Sequence, residues 1–96
     1  MTIQELLTEK REEILRLAEE HGAHNVRVFG SVARGEADDQ SDVDLLVTLG
    51  PGVTLLKHSD LIHELEKLLS RRVDVISDRG LRPRIRERLL HEAIPI

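Results

Sequence analysis

The chain has 96 residues, a formal net charge of −4, one-third charged residues and a single aromatic, Phe29, so a single domain over 1–96 with an aliphatic core is expected. It has no cysteine, which excludes a disulfide framework and thiolate metal sites. No apolar run approaches the roughly 20 residues a membrane span needs, and Met1–Lys10 reads as an amphipathic helix and not a signal peptide, so a cytoplasmic protein is expected.

In chain order, Thr2 with Glu5 fits a capping box that opens a helix, with Ile3, Leu6, Ile14 and Leu17 along one side and Gly22 as its stop. Val26, Val28 and Phe29 form a short strand ending at Gly30. Gly30, Ser31, Val32, Ala33 and Arg34 then read as one helical turn. Its free N–H groups suit an anion, Gly30 lets the backbone approach a phosphate, the Ser31 hydroxyl adds a hydrogen bond, and Arg34 would reach a triphosphate tail.

The polar stretch Gly35–Ser41 leads to a second strand through Val43, Leu45, Leu46 and Val47. Alternation places Asp42 and Asp44 on one face, with Val43, Leu45 and Val47 turned to the core. Pro51 and Gly52 punctuate the approach to a helix from about Thr54 to Leu69, whose stripe is Leu61, Leu65, Leu68 and Leu69. In Arg72–Ser77, Val73 and Val75 share a face and Asp74 takes the other, so a strand laid beside the first acid-bearing one delivers Asp74 to the same patch. Pro83 opens a last helix expected to bury Ile85 and Leu89, and Ala93–Ile96 offers a short edge strand against which Pro95 argues. The fold class expected is α/β (α+β), a small mixed sheet with helices mainly on one face and the acids on the other.

Three carboxylates on one patch repel unless a cation neutralises them, and an all-oxygen donor set suits Mg²⁺ or Mn²⁺. Two such ions, roughly 3.5–4 Å apart, clamp the attacking and leaving oxygens of an in-line phosphoryl displacement. The nucleophile's proton still needs an acceptor, and Asp74 is the candidate. The five histidines show no paired ligand spacing, His58 and His63 being five apart, so zinc is not expected and all five read as surface or helix-end residues.

Taken together, Gly30, Ser31, Ala33, Arg34, Gly35, Glu36, Ala37, Ser41, Asp42, Val43, Asp44, Leu45, Leu46 and Val47, with Asp74 downstream, closely resemble the minimal nucleotidyltransferase family, a branch of the DNA polymerase beta-like nucleotidyltransferase superfamily. The resemblance covers nearly the whole chain. It implies the nucleotidyltransferase fold, metal binding at Asp42, Asp44 and Asp74, activation of the acceptor hydroxyl by Asp74, nucleotide contacts from Gly30, Ser31, Arg34 and Ser41, two Mg²⁺ ions as cofactors and ATP as substrate. It further implies an antitoxin that silences a cognate HEPN-domain RNase toxin by moving AMP from ATP to a toxin tyrosine. The larger relatives carry an added helical lobe for the acceptor, a role the partner protein would fill here.

Residues 71–90 carry seven arginines against Asp74, Asp78 and Glu87, a net of +4 that leaves −8 for the remainder. Arg82, Arg86 and Arg79 would attract a triphosphate, an acidic protein surface or RNA, but the favoured reading is a solvated helix face on which Arg84 and Arg88 simply maintain solubility. No aromatic residue interleaves with the arginines, so direct nucleic-acid binding has little support. Two other functions fit the same residues: a nucleotide-binding antitoxin acting by occlusion without catalysis, and a nucleotidyltransferase acting on a small molecule such as an aminoglycoside.

Overall fold

The computed structural model describes residues 2–38 and 40–96. Met1 and Asp39, which fall within the expected first helix and the polar loop, lie outside the described residues. Helix α1 (Ile3–Glu9) starts on the expected reciprocal cap, with the Glu5 N–H donating to Thr2 Oγ1 at 3.1 Å and the Thr2 N–H donating to Glu5 Oε1 at 3.4 Å. One continuous helix was expected here, but the backbone breaks at Lys10 (φ −96°, ψ 7°) and α2 (Arg11–Glu20) follows. Together they bury Ile3, Leu7, Ile14 and Ala18, so the apolar stripe is centred about one position beyond the expected Leu6 and Leu17, which are half-buried. Gly22 ends the run at φ +78°, where a β-carbon would also meet Val53 Cγ2 at 2.6 Å.

Four strands make a mixed sheet in the order β3-β2-β1-β4. β1 (Ala23–Phe29) is antiparallel to β2 (Val43–Leu49), pairing Val28 with Leu45 and Phe29 with Asp44; an irregularity between His24 and Arg27 falls at Asn25, whose φ is +55°. β2 is parallel to β3 (Val73–Ser77). The crossover between them is α4 (Leu55–Leu69), capped by Thr54 Oγ1, which accepts from the Lys57 N–H at 3.2 Å. At the other edge, β4 (Ile94–Pro95) pairs Val28 with Ile94 and Arg27 with Pro95, so the short strand does form, at an edge where proline costs no ladder bond.

The core lies between one sheet face and the helices. Val26, Val28, Val43, Leu45, Val47, Val73 and Val75 join Ile3, Leu7, Ile14, Ala18, Leu61, Leu65 and Leu69 in one buried cluster, as alternation along the strands and the α4 stripe require. Phe29 and Leu46 are buried too, outside that cluster and on the opposite face by strand parity. Short α3 (Gly30–Ala33) follows β1 directly and adds Val32 to the core.

The last helix, α5 (Pro83–Glu92), departs from expectation. It begins at the proline as read, but none of its residues is buried: Ile85 is 45% exposed and Leu89 only half-buried. Its apolar positions are too few and too interrupted by arginine to seat it on the core. Polar links attach it instead, as the Arg86 Nε–H donates to the Asp78 carbonyl at 3.0 Å and Glu92 accepts from Arg34.

Candidate active site

The acids are delivered by strand register. Asp44 and Asp74 are direct partners on the parallel strands β2 and β3, with Val43 beside Val73 and Leu45 beside Val75 turned to the core. Parallel register and period-two alternation therefore put both carboxylates on the face away from α1, α2 and α4. Asp42 stands just ahead of β2 and is exposed, as is Asp74, whereas Asp44 is half-buried.

Gly30 closes the corner from β1. Its φ is +71°, and a β-carbon built there would lie 2.5 Å from Asp44 Oδ2, so only glycine fits both the backbone and the carboxylate beside it. The close approach expected of Gly30 is thus made first to Asp44. Burial, and then the charges of Asp74 and Asp42, push the Asp44 carboxyl above its usual range, against the opposing pull of Arg34; Glu92 adds to the upward push. These interactions are the sign that the three acids share a field.

Among the described residues, no group of three or more His, Cys, Asp or Glu side chains stands as a ready set of metal ligands. The acid patch is an open ledge and not a closed cage. That suits Mg²⁺, which is held by one or two carboxylates together with waters and substrate phosphates more often than by an all-protein cage. The oxygen-only donors and the mutual repulsion felt at Asp44 fit such an ion.

Arg34 caps the end of α3 and is already engaged: its Nε–H donates to Glu36 Oε2 at 3.1 Å and Nη1 to Glu92 Oε1 at 2.6 Å. Those hydrogen bonds, Glu92 first, raise its pKa and keep it charged. Ser31 is the second residue of α3. Ser41 is occupied within its own loop, where Oγ accepts from the Asp38 N–H at 2.9 Å and donates to Asp38 Oδ1 at 3.1 Å. Its visible work is to shape the approach to Asp42.

One buried polar group on the same face escaped the sequence reading. Arg27 and Asp78 are each 8% exposed and form a 3.0 Å salt bridge between Nη2 and Oδ2; the Thr48 hydroxyl donates to the same carboxylate oxygen at 2.6 Å. Arg27 Nε also donates to the Asn25 carbonyl, and Arg86 to that of Asp78. Burial alone would raise the Asp78 carboxyl, but the bonds from Thr48 and Arg27 and the charges of Arg27 and Arg86 outweigh it and hold it below the usual range. A signal was available: Asp78 has the parity of Asp74, and Arg27 alternates with the core residues Val26 and Val28. His58 also departs from a surface reading, being half-buried with Nε2 at 2.7 Å from the Val75 carbonyl.

Comparison with known proteins settles the class. The sequence model of the nucleotidyltransferase domain family matches residues 8–96. The chain belongs to the nucleotidyltransferase domain family. Among relatives of this nucleotidyltransferase, the protein adenylyltransferase MntA of Thermococcus cleftensis is 39% identical over 92 residues, covering 96% of this chain and 90% of that protein. A candidate protein adenylyltransferase of Methanocaldococcus jannaschii is 36% identical over 90 residues, covering 94% and 97%. A solved candidate minimal nucleotidyltransferase is 58% identical, covers 96% of this chain and 94% of its own, and superposes with a TM-score of 0.87. A toxin-antitoxin crystal structure with AMP-PNP shares the fold at TM-score 0.75 and 19% identity, covering 88% of this chain and 69% of that one. The α/β fold of this nucleotidyltransferase, with its mixed four-stranded sheet, is thus the fold of its relatives.

Proposed function

We propose that this nucleotidyltransferase is a protein adenylyltransferase that moves AMP from ATP to a tyrosine hydroxyl of a cognate HEPN-type RNase toxin and acts in the cytoplasm as its antitoxin. The observation that carries the reading is the register pairing of Asp44 with Asp74 beside Gly30, with Asp42 acting on the same patch. Asp42, Asp44 and Asp74 would hold Mg²⁺, two ions in the full complement, which would offset charge on the triphosphate and on the departing pyrophosphate. The names of the archaeal relatives and the toxin-antitoxin assembly of the structural neighbour support the choice of a protein acceptor.

The residues have distinct tasks. Asp74, exposed on β3, accepts the proton of the attacking hydroxyl. Gly30 lets the backbone lie close to the acids, Ser31 offers its hydroxyl to a phosphate, and Arg34 supplies positive charge at the triphosphate after exchanging Glu92 for it. Ser41 holds the loop that leads into Asp42. Most of the rate then comes from positioning and charge compensation.

Intact-mass spectrometry of the candidate toxin, after incubation with this protein, ATP and Mg²⁺, tests the reading. An AMP-sized increment that disappears with Asp74→Asn is expected. Neutralisation of the toxin that survives Asp42→Asn with Asp44→Asn, without any mass increment, would replace transfer by occlusion. A nucleotidylated low-mass product formed without a protein partner would make the acceptor a small molecule.

A further inference from the structure

Beside the acids, Arg34 and one face of α5 enclose an open groove of about 700 Å³, lined by Arg34, Arg84, Glu87, Arg88, His91 and Glu92. We propose that this groove seats an acidic segment of the partner protein, with Arg84, Arg88 and His91 as its contacts, so that the segment leads the acceptor residue to the acid patch. The proposal rests on the transfer reading only for that last clause, and the surface chemistry stands without it.

Spacing makes the stripe. Arg84, Arg88 and His91 are i, i+4 and i+7 on one helix and so share a face. Their rise of about 10 Å matches three or four residues of extended chain. The groove also lies near the acids, because two of its lining residues, Arg34 and Glu92, act electrostatically on Asp44.

The charges in the groove are unequally committed. Glu92 is spent on Arg34 at 2.6 Å, while among the described residues neither Arg84 nor Arg88 has an acidic partner within ion-pair distance, nor does Glu87. Both arginines are exposed. Arg84 sits in the first turn of α5, which holds no acidic residue, so its charge opposes the helix dipole and destabilises the helix from within. A group that weakens its own helix and has no ion-pair partner among the described residues is suited to an external anion. Glu87 is the one acid not already paired, and it leaves the lining positive.

A peptide suits this surface better than a nucleic acid. No Phe, Tyr or Trp lines the groove, and the one such residue in the chain, Phe29, is buried, so His91 and the guanidinium planes are the only surfaces there on which a base would stack. α5 buries none of its residues, so its charged face is free to meet a partner.

The test is titration of the intact protein with fluorescent octaglutamate and octaglutamine peptides, with AMP-PNP and an oligoribonucleotide as competitors. Octaglutamate is expected to bind, more weakly as salt rises, and octaglutamine not to bind. Arg84→Glu with Arg88→Glu should lower the octaglutamate affinity about 10-fold or more, and the milder Arg84→Gln with Arg88→Gln should fall between, with unchanged circular dichroism. Equal binding by wild type and charge-reversed protein would overturn the proposal. So would displacement by AMP-PNP whose own affinity falls in the reversed variant, which makes the groove a triphosphate seat, or an oligoribonucleotide that outcompetes the peptide. Where a toxin acceptor is in hand, an unchanged KM for it in the reversed variant sinks the groove and leaves transfer standing. Peptide binding as stated, with no AMP transfer by wild type to any partner, sinks transfer and supports the groove.

Discussion

Gly30 and Asp44 are matched to each other: the glycine's left-handed backbone, at φ +71°, leaves room for a carboxylate oxygen 2.5 Å from where a β-carbon would be. The site corner is therefore a packing relationship between β1 and β2 before it is a chemical one. It explains why β1 ends abruptly on glycine.

Gly30→Ala should accordingly cost on the order of 1–2 kcal/mol from the backbone alone, plus the displacement of Asp44. Chemical denaturation measures the first. A loss of nucleotidyl transfer much larger than that destabilisation, in protein still folded by circular dichroism, is the expected sign of the second.

The acids should separate by task. Asp74→Asn is expected to abolish transfer while leaving ATP binding measurable by calorimetry in Mg²⁺, because in the proposed mechanism it removes the proton acceptor and only part of the ligand set. Asp42→Asn with Asp44→Asn should weaken Mg²⁺-dependent ATP binding itself. Transfer that survives Asp74→Asn would remove Asp74 from its role as base.

The Arg27–Asp78 pair makes a stability prediction. Asp78→Ala leaves a buried guanidinium without its carboxylate and is expected to cost about 3–5 kcal/mol, and Arg27→Ala a similar amount. Replacing both by apolar residues of matching size should recover much of the loss, as a double-mutant cycle in urea would show.

The same group sets a pH dependence. The folded-state pKa of Asp78 is lowered, so its contribution to stability is complete above the unfolded value of about 3.9 and is lost as pH falls through the folded value. Wild type should lose stability on acidification below about pH 4 more steeply than Asp78→Asn, measured as the urea midpoint against pH. Identical slopes would contradict the lowered pKa.

Helix α5 should be the most labile helix. With no buried residue, its amides are expected to exchange faster in deuterium than those of α4, which buries Leu61, Leu65 and Leu69. Glu92→Ala, which removes the acceptor for Arg34, should speed exchange at its C-terminal end and leave α4 unchanged.

Much was legible before any coordinates because it depends on local rules. The Thr2–Glu5 cap, the Gly22 stop, the alternation that turns Val43, Leu45 and Val47 inward, and the α4 stripe at Leu61, Leu65 and Leu69 all follow from helix and strand periods. The motif from Gly30 to Val47 announced the family for the same reason, since its chemistry is written in a contiguous stretch. Asp74 could be named because a strand period assigned its face.

Three things waited for the tertiary structure. The pairing of Asp44 with Asp74 needed the order and direction of β2 and β3, which a long crossover through α4 decides and no local pattern encodes. The Arg27–Asp78 bond joins residues 51 apart, each of which reads alone as an ordinary solvated charge. The exposure of α5 reversed the expectation for Ile85 and Leu89, because an apolar residue at helical spacing is buried only where a second surface arrives to cover it, and arrival is a property of the whole chain.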